Sequence, residues 1–151
     1  MNKQLPPVQT STEALAPVQQ KDRKGMLIII SGPSGTGKGT LCERLFAADK
    51  HIVFSVSVTT RERREGEQHG QHYFFIDDKE FERLKQSNEL LEYATVHDHS
   101  YGTPRKLVEE KLEEGYDVLL DVDTQGAMSV MQQMEDTVSI FILPPSYASL
   151  K

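Results

Sequence analysis

Cysteine is nearly absent from the sequence, since Cys42 is the only one among 151 residues. A single cysteine cannot form an internal disulfide or a cysteine-based zinc site, and it fits a reducing compartment. No apolar run approaches the roughly 20 residues of a membrane-spanning helix. Residues 1–20 lack the apolar stretch of a secretory signal, and Glu13 argues against a mitochondrial presequence. We therefore expect a cytoplasmic location.

Positive charge is also in short supply. The chain carries 17 lysine and arginine residues against 23 acidic ones, which gives a formal net charge of −6. Such a charge disfavours nonspecific binding to nucleic acid or to an anionic membrane, because both are polyanions. A small anionic substrate is compatible with it if cations cluster locally. We therefore expect small-molecule partners, with no nucleic acid and no membrane.

Regular patterning begins after a polar N-terminal segment. Residues 1–24 are rich in Gln, Pro, Thr and Val without any period, so we predict a disordered tail followed by one domain over residues 25–151. Short apolar runs predict buried strands, and amphipathic stretches between them predict helices. The strands are predicted at 26–30, 52–58, 117–123 and 138–143. The helices are predicted at 38–48, at 104–115 with Thr103 as the cap, and at 125–134. This alternation predicts an α/β domain with a parallel sheet.

The middle of the chain departs from the alternation. Residues 61–71 are polar and predict a loop, while 72–76 and 90–96 predict further strands. Asp77 or Asp78 is expected to cap a helix that runs to about residue 87. We therefore predict an inserted lobe of mixed α+β structure over residues 59–103.

A glycine-rich segment after the first strand is the clearest functional motif. It reads Gly32-Pro33-Ser34-Gly35-Thr36-Gly37-Lys38-Gly39-Thr40. Glycines allow several backbone N–H groups to point at one phosphate, the helix N-terminus adds roughly half a positive charge, and the lysine reaches the β- and γ-phosphates. A glycine-rich turn without a ligand is the alternative, but strand, spacing, lysine and helix all agree with phosphate binding. The motif predicts that all nine residues bind ATP.

One position of this segment departs from the strict phosphate-binding pattern. Gly39 stands where Ser or Thr usually binds Mg²⁺, and Thr40 follows it. Nucleoside monophosphate kinases often read Gly-Lys-Gly-Thr here, so the departure favours that group. The metal is then expected to be held through water and nearby oxygens.

A second motif indicates the acceptor. Residues 57–67 read SVTTRERREGE, and Gly70-Gln-His-Tyr73 follows. Arg61 and Arg64 lie three residues apart, so both guanidinium groups could bind one phosphate. Taken alone, the motif would instead be interpreted as a solvated basic loop. Together with the phosphate-binding loop, the segment closely resembles the guanylate kinase signature. The family usually has proline where this chain has Arg63.

The resemblance implies a set of GMP-binding residues. Glu92 would accept hydrogen bonds from guanine N1–H and N2–H₂, a pairing that adenine cannot offer. The implied set is Ser57, Arg61, Arg64, Tyr73, Glu92, Tyr101, Gly102, Thr103 and Asp123. Taken singly, Glu92 would be a surface glutamate and the tyrosines core aromatics.

Two acidic residues end the predicted strand 117–123. Residues two apart on a strand share a face, and α/β sheets bind ligands at the carboxyl ends of their strands. We therefore expect the carboxylates of Asp121 and Asp123 at the ligand-binding edge of the sheet, although Asp123 could also cap the next helix. By resemblance, Asp121 supports Mg²⁺ through water, and Lys38, Arg61, Arg64 and Asp121 form the catalytic set. Four histidines lack a ligand constellation and are expected to be solvent or loop residues: His69, His72, His97 and His99.

The resemblance runs from about residue 26 to residue 151 and implies a phosphate-binding-loop fold of three layers, with the sheet order 2-3-1-4-5. The arginine-bearing lid, the fifth strand and the last helix of the family would be missing, and Ser146 would cap a helix that is cut off. We expect ATP:GMP phosphotransferase activity with Mg²⁺ as cofactor. A truncated, catalytically poor fragment and a non-enzymatic protein-binding module are the alternatives. The strand 138–143 would be an exposed edge through which the chain self-associates.

Overall fold

The computed structural model describes residues 23–144 and Ser146. The expected tail falls almost wholly outside these residues, as does the helix expected after Ser146. The described part contains four helices and eight strands. In chain order they are β1 Leu27–Ser31, α1 Lys38–Ala48, β2 Ile52–Phe54, β3 Val58–Thr59, β4 Phe74–Phe75, α2 Asp78–Gln86, β5 Leu90–Val96, β6 His99–Pro104, α3 Arg105–Glu113, β7 Asp117–Asp121, α4 Thr124–Gln133 and β8 Thr137–Phe141.

A parallel sheet of four strands forms the centre of the molecule. Its order is β2-β7-β1-β8, so the second, third, first and fourth of these strands in the chain lie side by side. In register, Ile29 of β1 is opposite Leu120 of β7 and Ser139 of β8. Every pair in the sheet is parallel, and all four strands therefore end at the same edge.

Helices cover both faces of this sheet. On one face the buried residues are Leu27, Ile29, Leu91, Val108, Leu112, Val118, Leu120, Ala127 and Val130, which include residues of α3 and α4. On the other face Cys42 of α1 packs with Ile30 and Leu119. Fully burying a Leu, Ile or Val side chain contributes about 1.5–3 kcal/mol, so the two clusters carry much of the stability.

A second sheet of four strands lies in the order β4-β3-β6-β5. The pair β3 and β4 is parallel, whereas β6 runs antiparallel to both β3 and β5. Phe81 of α2 is buried with Val58 and Leu90 and anchors that helix on the sheet. This part of the chain is therefore mixed α+β structure, in contrast to the parallel first sheet.

The predicted strand 52–58 is wrong as a single element. β2 ends at Phe54 and belongs to the first sheet, whereas β3 begins at Val58 and belongs to the second. Ser55, between them, still donates its N–H to Leu119 O at 3.2 Å. The chain changes partners here, which a continuous apolar pattern cannot reveal. The prediction 72–76 also shrinks to two residues, and the predicted strand 117–123 ends at Asp121.

The helix start predicted at Thr103 and Pro104 is also wrong. Both residues belong to β6, opposite Glu92 and Leu90 of β5, and α3 begins at Arg105 with Pro104 as its N-cap. Strand pairing therefore overrides the local helix-start signal. Two other capping predictions agree with the structure: the Asp77 carboxylate accepts from Glu80 N and caps α2, and the Asp123 carboxylate accepts from Gly126 N and caps α4.

Residues ahead of β1 are fixed to the sheet by one buried carboxylate. Asp117 accepts two hydrogen bonds from Arg23 Nη2, at 2.8 and 2.9 Å, and one from Met26 N at 2.8 Å. Gly25 donates its N–H to Leu112 O at 2.7 Å. A Cβ on Gly25 would lie 1.7 Å from Tyr116 O, so only glycine fits this approach. Across the described residues, no helix has the length and apolar character needed to cross a membrane.

Candidate active site

The glycine-rich loop lies where β1 ends and α1 begins. Gly35 and Gly37 adopt φ values of 78° and 85°, which residues with a side chain rarely adopt. α1 then starts at Lys38, and Leu41 N donates to Gly37 O at 3.0 Å. The first N–H groups of a helix have no partner within it, so they are open to an anion at this loop.

Lys38 places its ammonium group over the base of the loop. Its Nζ donates to Gly32 O at 2.7 Å and lies 3.4 Å from Asp121 Oδ1. Only 19% of the Lys38 side chain is exposed, so the charge is held in a defined position. A Cβ on Gly32 would approach Ile142 O to 2.6 Å, which explains glycine at the start of the loop.

Asp121 occupies the carboxyl end of β7, beside the end of β1. Ser31 Oγ donates to Val122 O at 2.8 Å and ties the two strand ends together. The Asp121 carboxylate is 35% exposed and faces Lys38. Among the described residues no group of three or more His, Cys, Asp or Glu side chains could hold a metal ion by itself.

Arg61 forms the centre of a second cluster, in the loop after β3. Its guanidinium group donates to both oxygens of Glu67, at 2.8 and 3.0 Å, and to Glu62 O at 2.8 Å. It also lies over the rings of Tyr73 and Phe75, with distances to the ring centroids of 5.5 and 5.8 Å. Only 11% of the Arg61 side chain is exposed. Arginine is thus held rigidly between one carboxylate and two aromatic rings.

The Arg61 and Glu67 charges stabilise each other. The hydrogen bond from Arg61, together with the N–H of Arg64, lowers the pKa of Glu67 to about 2. The same ion pair, helped by Tyr101, raises the pKa of Arg61. Both groups therefore stay charged at any physiological pH.

Two tyrosines from neighbouring strands complete this cluster. Tyr73 precedes β4, and Tyr101 lies in β6 opposite Thr59 of β3. Their ring centroids are 5.9 Å apart with an edge-to-face geometry. The pairing of β4, β3 and β6 thus brings together Arg61, Tyr73 and Tyr101, which are far apart in sequence.

A half-buried carboxylate in β5 forms a third cluster. Glu92 Oε1 accepts a hydrogen bond from Thr103 Oγ1 at 2.6 Å. Burial raises the pKa of Glu92, the bond from Thr103 opposes that rise, and the nearby charge of Asp123 adds to it. Asp123 Oδ1 accepts from Gly126 N at 2.7 Å and caps α4. A Cβ on Gly126 would lie 3.2 Å from Glu92 Oε2, so a larger residue would crowd the carboxylate.

Comparisons with known proteins agree on one family. The family model described as "Guanylate kinase" matches residues 24–151. The chain is 49% identical over 129 residues to the guanylate kinase of Caldanaerobacter subterraneus, covering 85% of this chain and 63% of that protein. It is 52% identical over 130 residues to the guanylate kinase of Rhizobium etli, covering 85% and 59%. The crystal structure of guanylate kinase from Anaplasma phagocytophilum superposes with a TM-score of 0.64 at 44% identity, covering 83% of this chain and 63% of that one.

The chain belongs to the guanylate kinase family. It spans about three fifths of the length of the curated relatives that it matches. The resemblance drawn from the phosphate-binding loop and from residues 57–67 is therefore confirmed at the level of the family.

Three residues that the guanylate kinase resemblance assigns to the GMP site make no side-chain hydrogen bond with the three clusters in the described structure. The described hydrogen bond of Ser57 involves its backbone, since Ser57 O accepts from Phe74 N at 2.9 Å. Gly102 is buried, and a Cβ there would lie 3.0 Å from Leu90 Cδ1. Arg64 is exposed, and within the described residues its guanidinium makes no hydrogen bond or ion pair. Arg64 therefore differs from Arg61, whose guanidinium group is fixed by Glu67.

The histidines of the guanylate kinase motif have a role that sequence reasoning missed. His72 Nδ1 accepts from Gln68 N at 3.0 Å, and His69 Nδ1 accepts from Phe75 N at 3.2 Å. The His69 ring also packs edge-on against Phe74, 5.5 Å between centroids. Both imidazoles therefore satisfy backbone N–H groups, one in the loop that precedes β4 and one in β4 itself. The loop sequence is uniformly polar, so it did not indicate that these two histidines accept backbone hydrogen bonds.

Proposed function

We propose that the protein transfers the γ-phosphoryl group of ATP to GMP and forms ADP and GDP. The supporting observation is the short segment from Asp121, the last residue of β7, to Asp123, the N-cap of α4. Asp121 contacts Lys38 of the phosphate-binding loop, and Asp123 lies beside Gly126 together with Glu92. This segment thus connects a site suited to ATP phosphates with a site suited to a nucleobase. Family membership supports the same reaction.

The donor and acceptor sites use different chemistry. Lys38 and the backbone N–H groups of residues 32–40 would bind the ATP phosphates. Arg61, Arg64, Tyr73 and Tyr101 would bind the GMP phosphate, because bidentate guanidinium groups suit a phosphate that carries about two charges. The guanine would contact Ser57, Glu92, Gly102, Thr103 and Asp123.

Glu92 provides the discrimination between bases. One of its oxygens already accepts from Thr103, and its carboxylate can accept from guanine N1–H and N2–H₂. Adenine has an acceptor at N1 and no amine at C2, so it would leave the second oxygen of this half-buried carboxylate without a donor. An unpaired buried polar group costs about 1–3 kcal/mol, and more when it is charged.

The chemistry needs no nucleophilic side chain. An oxygen of the GMP phosphate forms a bond to the γ-phosphorus of ATP, and the bond from that phosphorus to ADP breaks, with the electron pair leaving on ADP. Orientation and charge neutralisation supply most of the catalysis. Arg61 is held in position by Glu67 before substrate binds, so it needs little reorganisation.

Mg²⁺ is the divalent ion that we propose as cofactor. Mg²⁺ usually keeps several waters and binds through one or two carboxylates together with substrate phosphates. A single exposed carboxylate, Asp121, beside the phosphate-binding loop fits that mode, and Gly39 supplies no hydroxyl. When bound, the ion would neutralise charge on the phosphates of ATP.

We further propose that residues 59–103 form the GMP-binding lobe of a single domain over residues 25–151. The second sheet, which begins at Val58 and ends at Pro104, supports this division. A cytoplasmic location is proposed with it, on the ground of the single buried cysteine.

A coupled assay of ADP release tests the reaction, with GMP, AMP and UMP as acceptors. We expect turnover with GMP and little with the other two. Preference for AMP or UMP would contradict the role of Glu92. Titration with ATP and Mg²⁺ separates an enzyme from a protein-binding module, because a module that has lost nucleotide binding would give no heat.

A further inference from the structure

A cavity of about 230 Å³ is lined in part by Ser55 and Val56, which belong to the segment that joins β2 of the first sheet to β3 of the second. Its walls come from both sheets, with Val53 and Val118 from the first, Phe74 from the second, and Leu107 from α3. None of the residues proposed to bind ATP or GMP lines it. The cavity is therefore separate from the candidate active site, and a ligand bound there would not depend on the proposed reaction.

Ser55 gives this cavity a polar feature. It lies in the joining segment, is 8% exposed, and lines the cavity. Among the described residues, its Oγ is the single buried side-chain oxygen or nitrogen without a hydrogen-bond partner. An unsatisfied buried hydroxyl is unfavourable, and native structures usually satisfy such groups with protein, water or a ligand.

A molecule in the cavity would meet the Ser55 hydroxyl only after rotation about its single side-chain torsion. The oxygen has almost no surface of its own, but serine has one side-chain torsion with three staggered positions. A partner in the cavity would remove the penalty of the unpaired group, which exceeds the small cost of changing rotamer.

The remaining surroundings select the ligand chemistry. Phe74, Leu107 and Val53 are apolar and suit a ring. The rim carries Glu110, Glu114 and Lys111, and the Lys111 ammonium is already paired with Glu114. The described rim thus offers an anionic ligand no unpaired cation. The volume is below that of sites for drug-sized ligands, which are about 300–1,000 Å³.

We propose that this cavity binds a small neutral aromatic molecule that carries one hydroxyl group. The ring occupies the apolar space between the two sheets, and the hydroxyl exchanges a hydrogen bond with Ser55. Because the segment at Ser55 joins the sheets, such a ligand contacts both of them at once.

Amide chemical-shift titrations of the 151-residue chain test this site with three probes of similar shape: p-cresol, toluene and 4-methylbenzoate. We expect p-cresol to shift the amides of Ser55, Gly70 and Phe74, and to bind about fivefold tighter than toluene, as one net hydrogen bond would give. 4-Methylbenzoate should bind more weakly than both. In Ser55→Ala the preference for p-cresol over toluene should vanish, with toluene affinity unchanged.

A second variant keeps the test independent of the behaviour of Ser55→Ala. Leu107→Phe should fill the cavity and abolish binding of p-cresol and toluene, whereas Leu45→Phe, on α1 and outside the cavity, should leave both intact. The proposal is overturned if p-cresol shifts none of these amides, if it binds no better than toluene to the parent, or if Leu107→Phe leaves its affinity unchanged.

Discussion

Lys38 is held by contacts that a nucleotide phosphate could replace. Its Nζ bonds to Gly32 O and lies near Asp121, and the side chain supports no buried cluster. Lys38→Ala should therefore leave the fold intact and lower phosphoryl transfer to GMP by about a hundredfold or more, the scale of losing one preorganised electrostatic group. The coupled assay measures turnover, and circular dichroism checks the fold.

Lys50 offers a matched control for that substitution. It is an exposed lysine just after the end of the same helix, and its Nζ donates to Phe46 O at 3.0 Å. Lys50→Ala removes the same charge without touching the phosphate-binding loop, so activity should be unchanged. Equal activity of Lys38→Ala and the parent would remove Lys38 from the mechanism.

Glu92 has opposite effects on binding and on stability. Glu92→Gln keeps an acceptor for Thr103 but presents an amide N–H₂ to guanine donors, so GMP affinity should fall by roughly 1–3 kcal/mol. Calorimetric titration with GMP measures the loss. Equal GMP affinity of variant and parent would show that the base is recognised elsewhere.

The stability effect follows from the raised pKa of Glu92. Its ordinary value is 4.5, and burial raises it in the folded protein. The folded state then binds more protons than the unfolded state between these two values, so stability is highest below the ordinary pKa and falls as pH rises through the raised one. Glu92→Gln cannot ionise, so its free energy of unfolding should exceed that of the parent at neutral pH, with the difference vanishing below 4.5. Urea denaturation across this range measures it.

Glu89 provides a control of opposite sign. Hydrogen bonds from Ser87 and Arg83 lower the pKa of Glu89, so its charge stabilises the fold above the ordinary pKa and that contribution is lost as pH falls. Glu89→Gln should therefore be less stable than the parent at neutral pH. If Glu92→Gln, like Glu89→Gln, is less stable than the parent at neutral pH, the burial argument for Glu92 fails.

Single residues were predictable where the chemistry is local. The phosphate-binding loop needs only a strand, glycines, a lysine and a helix in succession, and all of these lie within residues 27–48. The hydrogen bond between Thr103 and Glu92 was beyond sequence reasoning, since Thr103 carries a local helix-start signal. Its actual role depends on the pairing of β5 with β6, which is a tertiary contact.

At the scale of elements, the loop from Arg61 to Glu67 is organised before any phosphate arrives. Glu67 holds the Arg61 guanidinium group and also accepts from Arg64 N at 2.8 Å. Glu67→Gln should release Arg61 and weaken GMP binding severalfold while ATP affinity stays unchanged. Calorimetric titration with each nucleotide measures the two affinities separately.

Glu65 is the control within the same loop. It is exposed, and Glu65→Gln removes one negative charge without disturbing Arg61. GMP affinity of that variant should match the parent. A loss of the same size in both variants would mean that the net charge of the loop, and not the position of Arg61, governs binding.

The elements themselves were predictable to different degrees. Helices with a clear local start signal lie close to where the sequence predicts them, as α1 does after the glycine-rich segment and α2 after its cap Asp77. The second sheet was less accessible, because its short strands β3 and β4 exist only through pairing with their neighbours. The split between β2 and β3 has the same cause.

At the scale of the whole molecule, the exposed edge of the first sheet makes a specific prediction. Among the described strands, β8 lies at one edge of the first sheet and pairs only with β1. Val138, Ile140 and Phe141 are 43%, 42% and 48% exposed, and residues 137–141 contain no charge. An apolar edge with free backbone N–H and C=O groups promotes pairing with another chain. We therefore propose that the 151-residue chain self-associates through β8.

Sedimentation velocity over a range of protein concentrations tests the association. The parent should sediment as larger species as concentration rises, and Ile140→Lys should shift the distribution towards monomer, because a charge on the edge must be desolvated when strands pair. Met131→Lys places the same charge on an exposed methionine of α4 and should leave the association unchanged. A parent that remains monomeric at every concentration, or a Met131→Lys variant that dissociates as readily as Ile140→Lys, would contradict pairing through β8.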